Sequence, residues 1–430
     1  MNFVFEDIST PRNFVKNWVL NKSGSSRFTL SPIYNRMSFL RSFNHTYEFT
    51  TFDFSIDNKP KHYVIPLGVN NDPICWAGGK YSADPTIPSL FEFINETYLK
   101  DLRNGHAYLL VDSSFEGYHN DWVFDFFHNE CNDYDISPNQ IFFVTGNSIV
   151  EERYKTWLEK NPQSVKIHPL PYSHFEADVF CQSLEMRRKG NPLHTFEEHY
   201  KYKIYNNENI KLFNNLNKKP REHRIWFYAH LYYNNLLEKG LVSMNQIDDL
   251  GGRYFCGTTM PEEYVQEFSK TLPSILYGES NEIHDPNYYV VRIHEKPTLD
   301  SWVSVISEAR YEDKEGTVFL SEKVFKPITC YHPFIIMGNK HSLKEMKELG
   351  YETFSKWFDE SYDELPDLER MSAIIRTLYS IDKVKNKLSM YKDMEQTLKH
   401  NYEVLKYNAG NSLPYAFRMM LKEFNKNNLI

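Results

Sequence analysis

The 430-residue sequence lacks several features that would place it at once in a class of protein. No stretch approaches the roughly 20 apolar residues of a membrane span. The N-terminal MNFVFEDISTPRNF has no long apolar run of the kind found in secretory signals. The five cysteines are scattered and form no C-x-x-C pair, so neither a disulfide framework nor a zinc site is predicted. We therefore expect a reducing, cytoplasmic compartment.

A basic excess and several common catalytic motifs are also missing. The net charge is −8, which gives no general bias towards nucleic acid, although the first fifty residues are mildly basic and leave a local DNA-binding surface open. There is no P-loop, no G-x-G-x-x-G and no G-x-S-x-G. Kinase, dehydrogenase and hydrolase interpretations therefore lose their main support.

The chain does contain alternating apolar runs and amphipathic stretches, which predict parallel α/β layering. Its length predicts two domains, at 1–205 and 206–400, with a helical tail at 401–430 that can cross back to the first. Two consecutive α/β domains of this kind suggest two facing Rossmann-like units. The predicted strands are His106–Asp112, Gln140–Thr145, Val165–Leu170, Ile210–Leu216, Tyr289–Ile293, Trp302–Ser307, Thr317–Leu320 and Pro333–Met337. The predicted helices are Asn120–Asn132, Ser148–Lys160, His223–Lys239 (capped by Gly240), Glu322–Cys330, His341–Glu348, Lys383–Tyr407 and Leu413–Asn427, and Ser183–Asn209 is interpreted as an irregular linker.

Ligands of open α/β sheets bind at the carboxyl ends of the strands, and the segment FLSEKVFKPI follows such a strand. Glu322 can accept hydrogen bonds from ribose hydroxyls. Lys323 and Lys326 can neutralise phosphate, helped by the amides of a helix that begins near Glu322, next to Ser321. Phe319 can form a flat wall for a base. This combination predicts a nucleotide-sugar site.

A second motif, NNLNKKPREHR, lies between a predicted strand and a predicted helix. Lys218, Lys219, Arg221 and Arg224 concentrate positive charge at the start of that helix, where a diphosphate binds well. A third segment, VDSSFEGYH, ends a strand in the first domain. It supplies candidates for a general base, namely Glu116, Asp112 and His119, and Asp121 lies close by. His174, after a further strand, is a weaker candidate for the acceptor side.

The segments from Trp302 to Arg370 resemble a bacterial and viral group of GT-B glycosyltransferases whose C-terminal half is similar to fucosyltransferases. The shared blocks are VISE, SEKVFKPI, PFIIMG, LGYETF and DESYD, in that order. The resemblance implies that Glu322 binds ribose, Lys323 binds phosphate and Phe319 packs on the base. An LNRRxRxHR-like block adds Arg221, Arg224 and the matching His223, with Lys218 and Lys219 in place of arginines. Glu308 and Glu360 lie in family blocks and either touch the sugar or brace the loop. Ala309 and Tyr351 depart from the usual Thr and Phe.

The resemblance implies a GT-B fold, with two facing Rossmann-like domains and a C-terminal helical tail. It also implies an inverting glycosyltransferase in a bacterium or a virus-infected cell. A nucleotide sugar is the co-substrate and a glycan hydroxyl the acceptor. No metal is expected, because Asp133-Tyr134-Asp135, the only D-x-D candidate, precedes Ser-Pro and predicts a turn or a helix cap. Two alternatives stay open: a phage-type enzyme that glycosylates a hydroxymethylated DNA base, and a non-catalytic nucleotide-binding relative.

Overall fold

The computed structural model describes residues 3–6, 28–29, 49–52, 63–69, 91, 94, 96–114, 117, 121–172, 175–188, 195–247, 253–274, 293–312, 317–411 and 422. The chain forms two compact units. The first comprises Met1–His174, Glu315–Phe319 and Asn411–Ile430, and the second comprises Phe175–Lys314 and Leu320–Gly410. The first continuous stretch thus ends at His174, earlier than the expected boundary at 205. The segment Glu315–Phe319 belongs to the first unit, although it lies within the expected second domain.

The first unit contains a seven-stranded sheet whose main path runs in the order β3-β1-β4-β5-β6-β7. All pairs on this path are parallel, and β2 lies antiparallel to β4. Aliphatic and aromatic side chains from the helices and the central strands form its buried core, which accounts for part of the rich supply of Phe and Tyr. The strands are Phe3–Glu6 (β1), Phe28–Thr29 (β2), Phe49–Phe52 (β3), Tyr63–Val69 (β4), Ala107–Ser113 (β5), Ile141–Thr145 (β6) and His168–Pro171 (β7), and the helices are Glu96–Arg103 (α1), Trp122–Asp133 (α2) and Val150–Lys160 (α3), with a 3₁₀ turn at Pro138–Gln140.

The second unit is built on a four-stranded parallel sheet in the order β13-β12-β8-β9. Its strands are Lys211–Leu216 (β8), Gly240–Ser243 (β9), Ser301–Ser307 (β12) and Phe334–Met337 (β13), and a small hairpin pairs Tyr254–Phe255 (β10) with Thr258–Thr259 (β11). From β8 the chain passes first to one side of the sheet, to β9, and later to the other side, to β12. The boundary between β8 and β12 is therefore the topological switch point, where ligands of open α/β sheets bind.

Ten helices complete the described part of the second unit. They are Phe175–Arg188 (α4), Phe196–Asn206 (α5), Glu222–Tyr233 (α6), Glu262–Phe268 (α7), Glu295–Leu299 (α8), Glu322–Thr329 (α9), Ser342–Glu348 (α10), Asp367–Asp382 (α11), Lys387–Asp393 (α12) and Glu395–Asn411 (α13), with 3₁₀ turns at Asn207–Asn209, Leu237–Lys239, Ser269–Thr271 and Ser361–Glu364. Within the described residues, no helix is both long and apolar enough to cross a membrane. The mixed α/β class with parallel sheets is confirmed.

Most predicted strands and helices are confirmed within a few residues, but four predictions are wrong. The supposed linker at Ser183–Asn209 contains the end of α4 and all of α5. The helix predicted from His223 to Lys239 ends at Tyr233, because Asn235 adopts a left-handed φ of 54°, and Gly240 begins β9 instead of capping a helix. Thr317–Leu320 forms no strand.

The fourth error concerns the C-terminal region, where one long helix was predicted from Lys383 to Tyr407. The structure has two, because α12 begins after Asn386, whose side chain accepts a hydrogen bond from the Ser389 amide, and α13 begins anew at Glu395. Two further predictions, Tyr289–Ile293 and Leu413–Asn427, lie outside the described residues except for Ile293 and Lys422.

Candidate functional site

A cleft of about 390 Å³ opens in the second unit at the carboxyl ends of β8 and β12, at the switch point of the sheet. The loop between β8 and α6 forms one wall, and the first turn of α9 forms another. Apolar side chains contribute through Leu216, Val305, Ile306 and Pro327. Six cationic side chains line the cleft, namely Lys218, Lys219, Arg221, Arg224, Lys323 and Lys326, and Glu322 is the one carboxylate among the described lining residues.

The first turn of α9 carries the most tightly coupled charges of the cleft. The Nζ of Lys323 lies 3.0 Å from Oε1 of Glu322, and the Nζ of Lys326 lies 4.0 Å from the same oxygen. Burial raises the pKa of the Glu322 carboxyl, but Lys323 and Lys326 outweigh burial and hold this pKa below its ordinary value. Burial lowers the pKa of Lys326 to about 8, although Glu322 opposes the shift. Glu322 is therefore ionised at neutral pH while 7% exposed.

Glu308 braces this turn from below and does not line the cleft. Its side chain is completely buried, and one carboxylate oxygen accepts from the Ser321 amide at 2.9 Å. The other accepts from the Ser321 hydroxyl at 2.6 Å and from the Ala309 amide at 3.0 Å. Ser321 in turn is the N-cap of α9 and accepts from the Lys323 amide. The contacts of Glu308 are those of a brace for the helix terminus.

Two arginines, Arg221 at the end of the β8–α6 loop and Arg224 in the first turn of α6, tie this segment to the end of β12. Arg224 donates from Nη2 to the carbonyl oxygens of Ser307 and Glu308, at 3.2 and 3.1 Å, and from Nη1 to that of Lys219. Arg221 donates to the carbonyl oxygen of Ala309. Burial, assisted by the neighbouring Arg221, lowers the pKa of Arg224 to about 10, so its guanidinium stays charged at neutral pH. Both arginines line the cleft while they hold its walls together.

His223 belongs to the same sequence motif but lies behind the cleft wall. It is 5% exposed, its Nε2 lies 3.0 Å from the Glu308 carbonyl oxygen, and its ring stacks on Tyr311 at a centroid distance of 5.8 Å. Burial and the charge of Arg224 lower its pKa well below the ordinary value. A neutral, buried imidazole supports the loop structurally, and its predicted part in binding the donor stays a prediction.

A row of buried asparagines, which the sequence analysis did not single out, runs along β8 into the cleft. Asn214 donates to the hydroxyl oxygens of Ser301 and Ser304, both at 2.8 Å. Asn215 donates to the Val305 carbonyl oxygen near the end of β12, and Asn217 donates to the side-chain oxygen of Asn215. Paired polar residues inside otherwise apolar strands, in KLFNNL and SWVSVIS, are the signal that would have revealed this network, because buried amides need partners.

Phe319 lies in the first unit. Its ring packs so closely on Gly117 and Gly146 that a Cβ at either glycine would overlap it. The neighbouring Val318 exchanges hydrogen bonds with Asn147 and Ser148. Phe319 is 3% exposed and is not among the residues that line the cleft of the second unit, so its role as a wall for a base stays a prediction.

The candidates for a general base fall mostly outside the described residues. Glu116, His119 and His174 lie there, and the described part of Asp112 is its backbone, at the carboxyl end of β5. Asp121 is described and pairs with Arg153 at 2.6 Å, next to the first turn of α2.

The sequence departures at Ala309 and Tyr351 have simple structural settings. Ala309 contributes only backbone contacts, through its amide to Glu308 and its carbonyl to Arg221. The Tyr351 hydroxyl donates to Oε1 of the buried Glu176 at 2.5 Å. Glu360, in the segment DESYD, accepts from the Thr353 hydroxyl and the Phe354 amide and thereby braces that loop.

Potential metal ligands come together at one place in the described residues, where ligand atoms of His341, Asp363 and Glu364 lie within 4.8 Å of one another. Both carboxylate oxygens of Asp363 already accept amide hydrogen bonds, from Leu343 and Lys344. None of the three lines the cleft. Asp133, of the D-x-D candidate, ends α2, and Asp135 has a left-handed φ of 56°, so this segment forms the predicted turn.

No protein-family model and no curated protein matches the sequence. Among solved structures, the chain is similar to that of an α,α-trehalose-phosphate synthase (UDP-forming) from Burkholderia vietnamiensis, with a TM-score of 0.35 and 9% identity. The similarity covers 72% of this chain and 67% of that chain.

Proposed function

We propose that this protein is a glycosyltransferase that binds a nucleotide-sugar donor in the cleft of the second unit. The observation that carries the proposal is the combination of six cations with a buried, ionised Glu322 at the topological switch point of a parallel sheet. The cations can neutralise the negative charge of a diphosphate. The Glu322 carboxylate can accept hydrogen bonds from the two neighbouring hydroxyls of a ribose. The order of sequence blocks shared with the GT-B group supports the same assignment.

In this proposal the cations stabilise the charge of the departing nucleoside diphosphate. Lys323, Arg221 and Arg224 provide positive charge in the cleft, and hydrogen bonds hold both arginines in place before the reaction, which is the efficient arrangement for stabilising a developing charge. They take the part that a divalent metal plays in other glycosyltransferases. Glu116, or else Asp112, is proposed by resemblance as the base that deprotonates an acceptor hydroxyl, with inversion at the sugar.

The acceptor is proposed to be a glycan. Modified DNA is the other candidate, and added salt distinguishes the two, because DNA binding weakens steeply with ionic strength. A protein that binds nucleotide sugars tightly yet hydrolyses and transfers none of them would instead be a binding protein.

A thermal-shift screen with UDP, GDP, CMP and ADP, with EDTA present, tests the donor assignment. At a ligand concentration about a hundred times Kd, we expect stabilisation of about 2.7 kcal/mol by the matching nucleotide. Glu322→Ala should remove most of the shift, since it removes the proposed ribose acceptor. Glu263→Ala, an exposed acid on α7 outside the cleft, is the matched control and should keep the shift. If no nucleotide stabilises the wild type, the proposal is wrong.

A further inference from the structure

The fold fixes the orientation of two buried side-chain amides, those of Asn215 and Asn217, and Asn217 lines the cleft. Asn215 lies near the end of β8 and is 2% exposed, and Asn217 lies just past the end of this strand and is 5% exposed. Asn215 donates from Nδ2 to the Val305 carbonyl oxygen at 2.7 Å and to the Ser307 hydroxyl oxygen at 2.9 Å. A carbonyl accepts only, so the Asn215 nitrogen must face β12 and its Oδ1 must face the other way.

The neighbouring amide is oriented in turn. Oδ1 of Asn215 accepts from Nδ2 of Asn217 at 2.6 Å. Reversal of the Asn217 amide would place two carbonyl oxygens against each other, so the network excludes it. The backbone of Asn217 is also held, because its amide and carbonyl both bond to the Ser243 hydroxyl at 3.3 Å. The Oδ1 of Asn217 is therefore a fixed acceptor.

That acceptor has no hydrogen-bond partner among the residues that the structure describes. Buried acceptors are nearly always paired, and an unpaired one is costly. Because the oxygen belongs to a residue that lines the cleft, a molecule bound there can supply the partner if it brings an N–H or an O–H.

We propose that Oδ1 of Asn217 accepts a hydrogen bond from a hydroxyl of the donor, and so selects donors that carry it. The proposal rests on the proposed function. Phosphate oxygens have no proton to give at neutral pH and are excluded as partners. Asn217 directly precedes Lys218, Lys219 and Arg221, the proposed diphosphate ligands. The groups nearest to a diphosphate are hydroxyls of the ribose and of the transferred sugar, whereas the base is farther away.

The test measures binding to wild type and Asn217→Ala by calorimetry, with UDP, UDP-glucose and 2′,3′-dideoxy-UDP, and with the corresponding guanosine series based on GDP-mannose. We expect the variant to bind the sugar nucleotide about tenfold more weakly. If the hydroxyl belongs to the ribose, the affinity of the variant for UDP or GDP falls by the same factor, and its affinity for the dideoxy nucleotide equals that of the wild type. If it belongs to the transferred sugar, only the sugar nucleotide loses affinity.

Asn401→Ala is the matched control, because Asn401 is an equally buried asparagine of the second unit that bonds to the Glu352 backbone outside the cleft. It should leave all affinity ratios unchanged. Should Asn217→Ala fail to fold, Asn217→Ser, which keeps an acceptor on the same backbone, should retain discrimination against the dideoxy nucleotide. If Asn217→Ala loses no affinity, or loses the same affinity for every ligand including the dideoxy nucleotide, this inference is wrong while the proposed function still stands. If the wild type binds none of these nucleotides, the proposed function is overturned as well.

Discussion

Two glutamates that the sequence places in one family pattern have different environments. Glu308 is completely buried, accepts hydrogen bonds from Ser321 and Ala309, and has the Nζ of Lys323 at 4.0 Å. Glu322 lies at the cleft and is paired with Lys323. Only the second can accept a new hydrogen bond from a ligand without giving up bonds that hold the fold. At this scale the number of protein donors already bound to a carboxylate separates a bracing residue from a candidate ligand.

Glu308→Gln tests this separation. The substitution keeps the size of the side chain but turns one acceptor oxygen into an NH₂ group, which then faces the Ser321 or Ala309 donors. We expect a loss of about 1–3 kcal/mol in the free energy of unfolding, because a buried donor is left without an acceptor. Urea denaturation measures it. Ser321→Ala keeps the amide bond to Glu308 and removes the cap hydroxyl, and should cost about 1 kcal/mol. Equal stability of Glu308→Gln and wild type would contradict the bracing role.

Most of the residues predicted to bind the donor line the cleft, and helix geometry explains one of the exceptions. Successive residues of an α-helix point about 100° apart, whereas residues three apart share a face. Arg221 and Arg224 therefore reach the cleft together, while His223 between them packs on Tyr311. The motif identifies the segment that lines the cleft, but the direction in which each side chain points depends on the residue at which the helix begins. Asn217 was missed because its orientation depends on Asn215, whose amide bonds to residues some ninety positions away.

At the scale of elements, the clearest failure of the sequence analysis is α5. Its polar composition suggested a linker, yet Thr195 and Glu198 form a reciprocal capping box that starts the helix. The buried face of this helix includes Lys203, which is completely buried and donates to the carbonyl oxygens of Thr298, Leu299 and Ser301. A lysine in a sequence usually indicates an exposed position. Composition alone therefore does not reveal that the C-terminal end of α5 is hydrogen-bonded to α8 through Lys203.

Lys203→Met should change how the stability of the protein depends on pH. Burial lowers the pKa of Lys203 from 10.5 to about 7. Below the folded pKa both states carry the proton, and folding bears the cost of burying the charge. As the pH rises from about 7 towards the ordinary lysine value, the folded state loses the proton while the unfolded state keeps it. The free energy of unfolding therefore rises with pH over this window in the wild type.

Urea denaturation of both proteins across that window measures the effect. The difference in stability between wild type and Lys203→Met should shift in favour of the wild type as the pH rises. Lys201→Met, an exposed lysine of the same helix, is the control and should follow the wild type at every pH. Parallel curves for wild type and Lys203→Met would show that three carbonyl acceptors keep Lys203 charged in both states.

At the scale of the whole molecule, length and the alternation of strands and helices predicted two α/β domains, but not how the chain is divided between them. Glu315–Phe319 belongs to the first unit although it lies within the sequence of the second. The reason is pairing over long sequence distances. The amide of Val318 donates to Oδ1 of Asn147, and the Ser148 amide donates back to Val318. Local patterns contain no information about such pairs.

The two units predict unfolding that is not two-state. Each has its own parallel sheet, and all described residues that line the cleft belong to the second unit. We expect calorimetry to resolve two transitions, because separate cores need not melt together. A nucleotide that binds the cleft stabilises only the state in which the cleft is folded, so it should raise the Tm of one transition by a few degrees and leave the other unchanged. Hydrogen exchange should then show added protection in β8, β12 and α9 and none in β5 and β6. A single transition that shifts as a whole, with protection gained equally in both sheets, would mean that the units fold as one cooperative body.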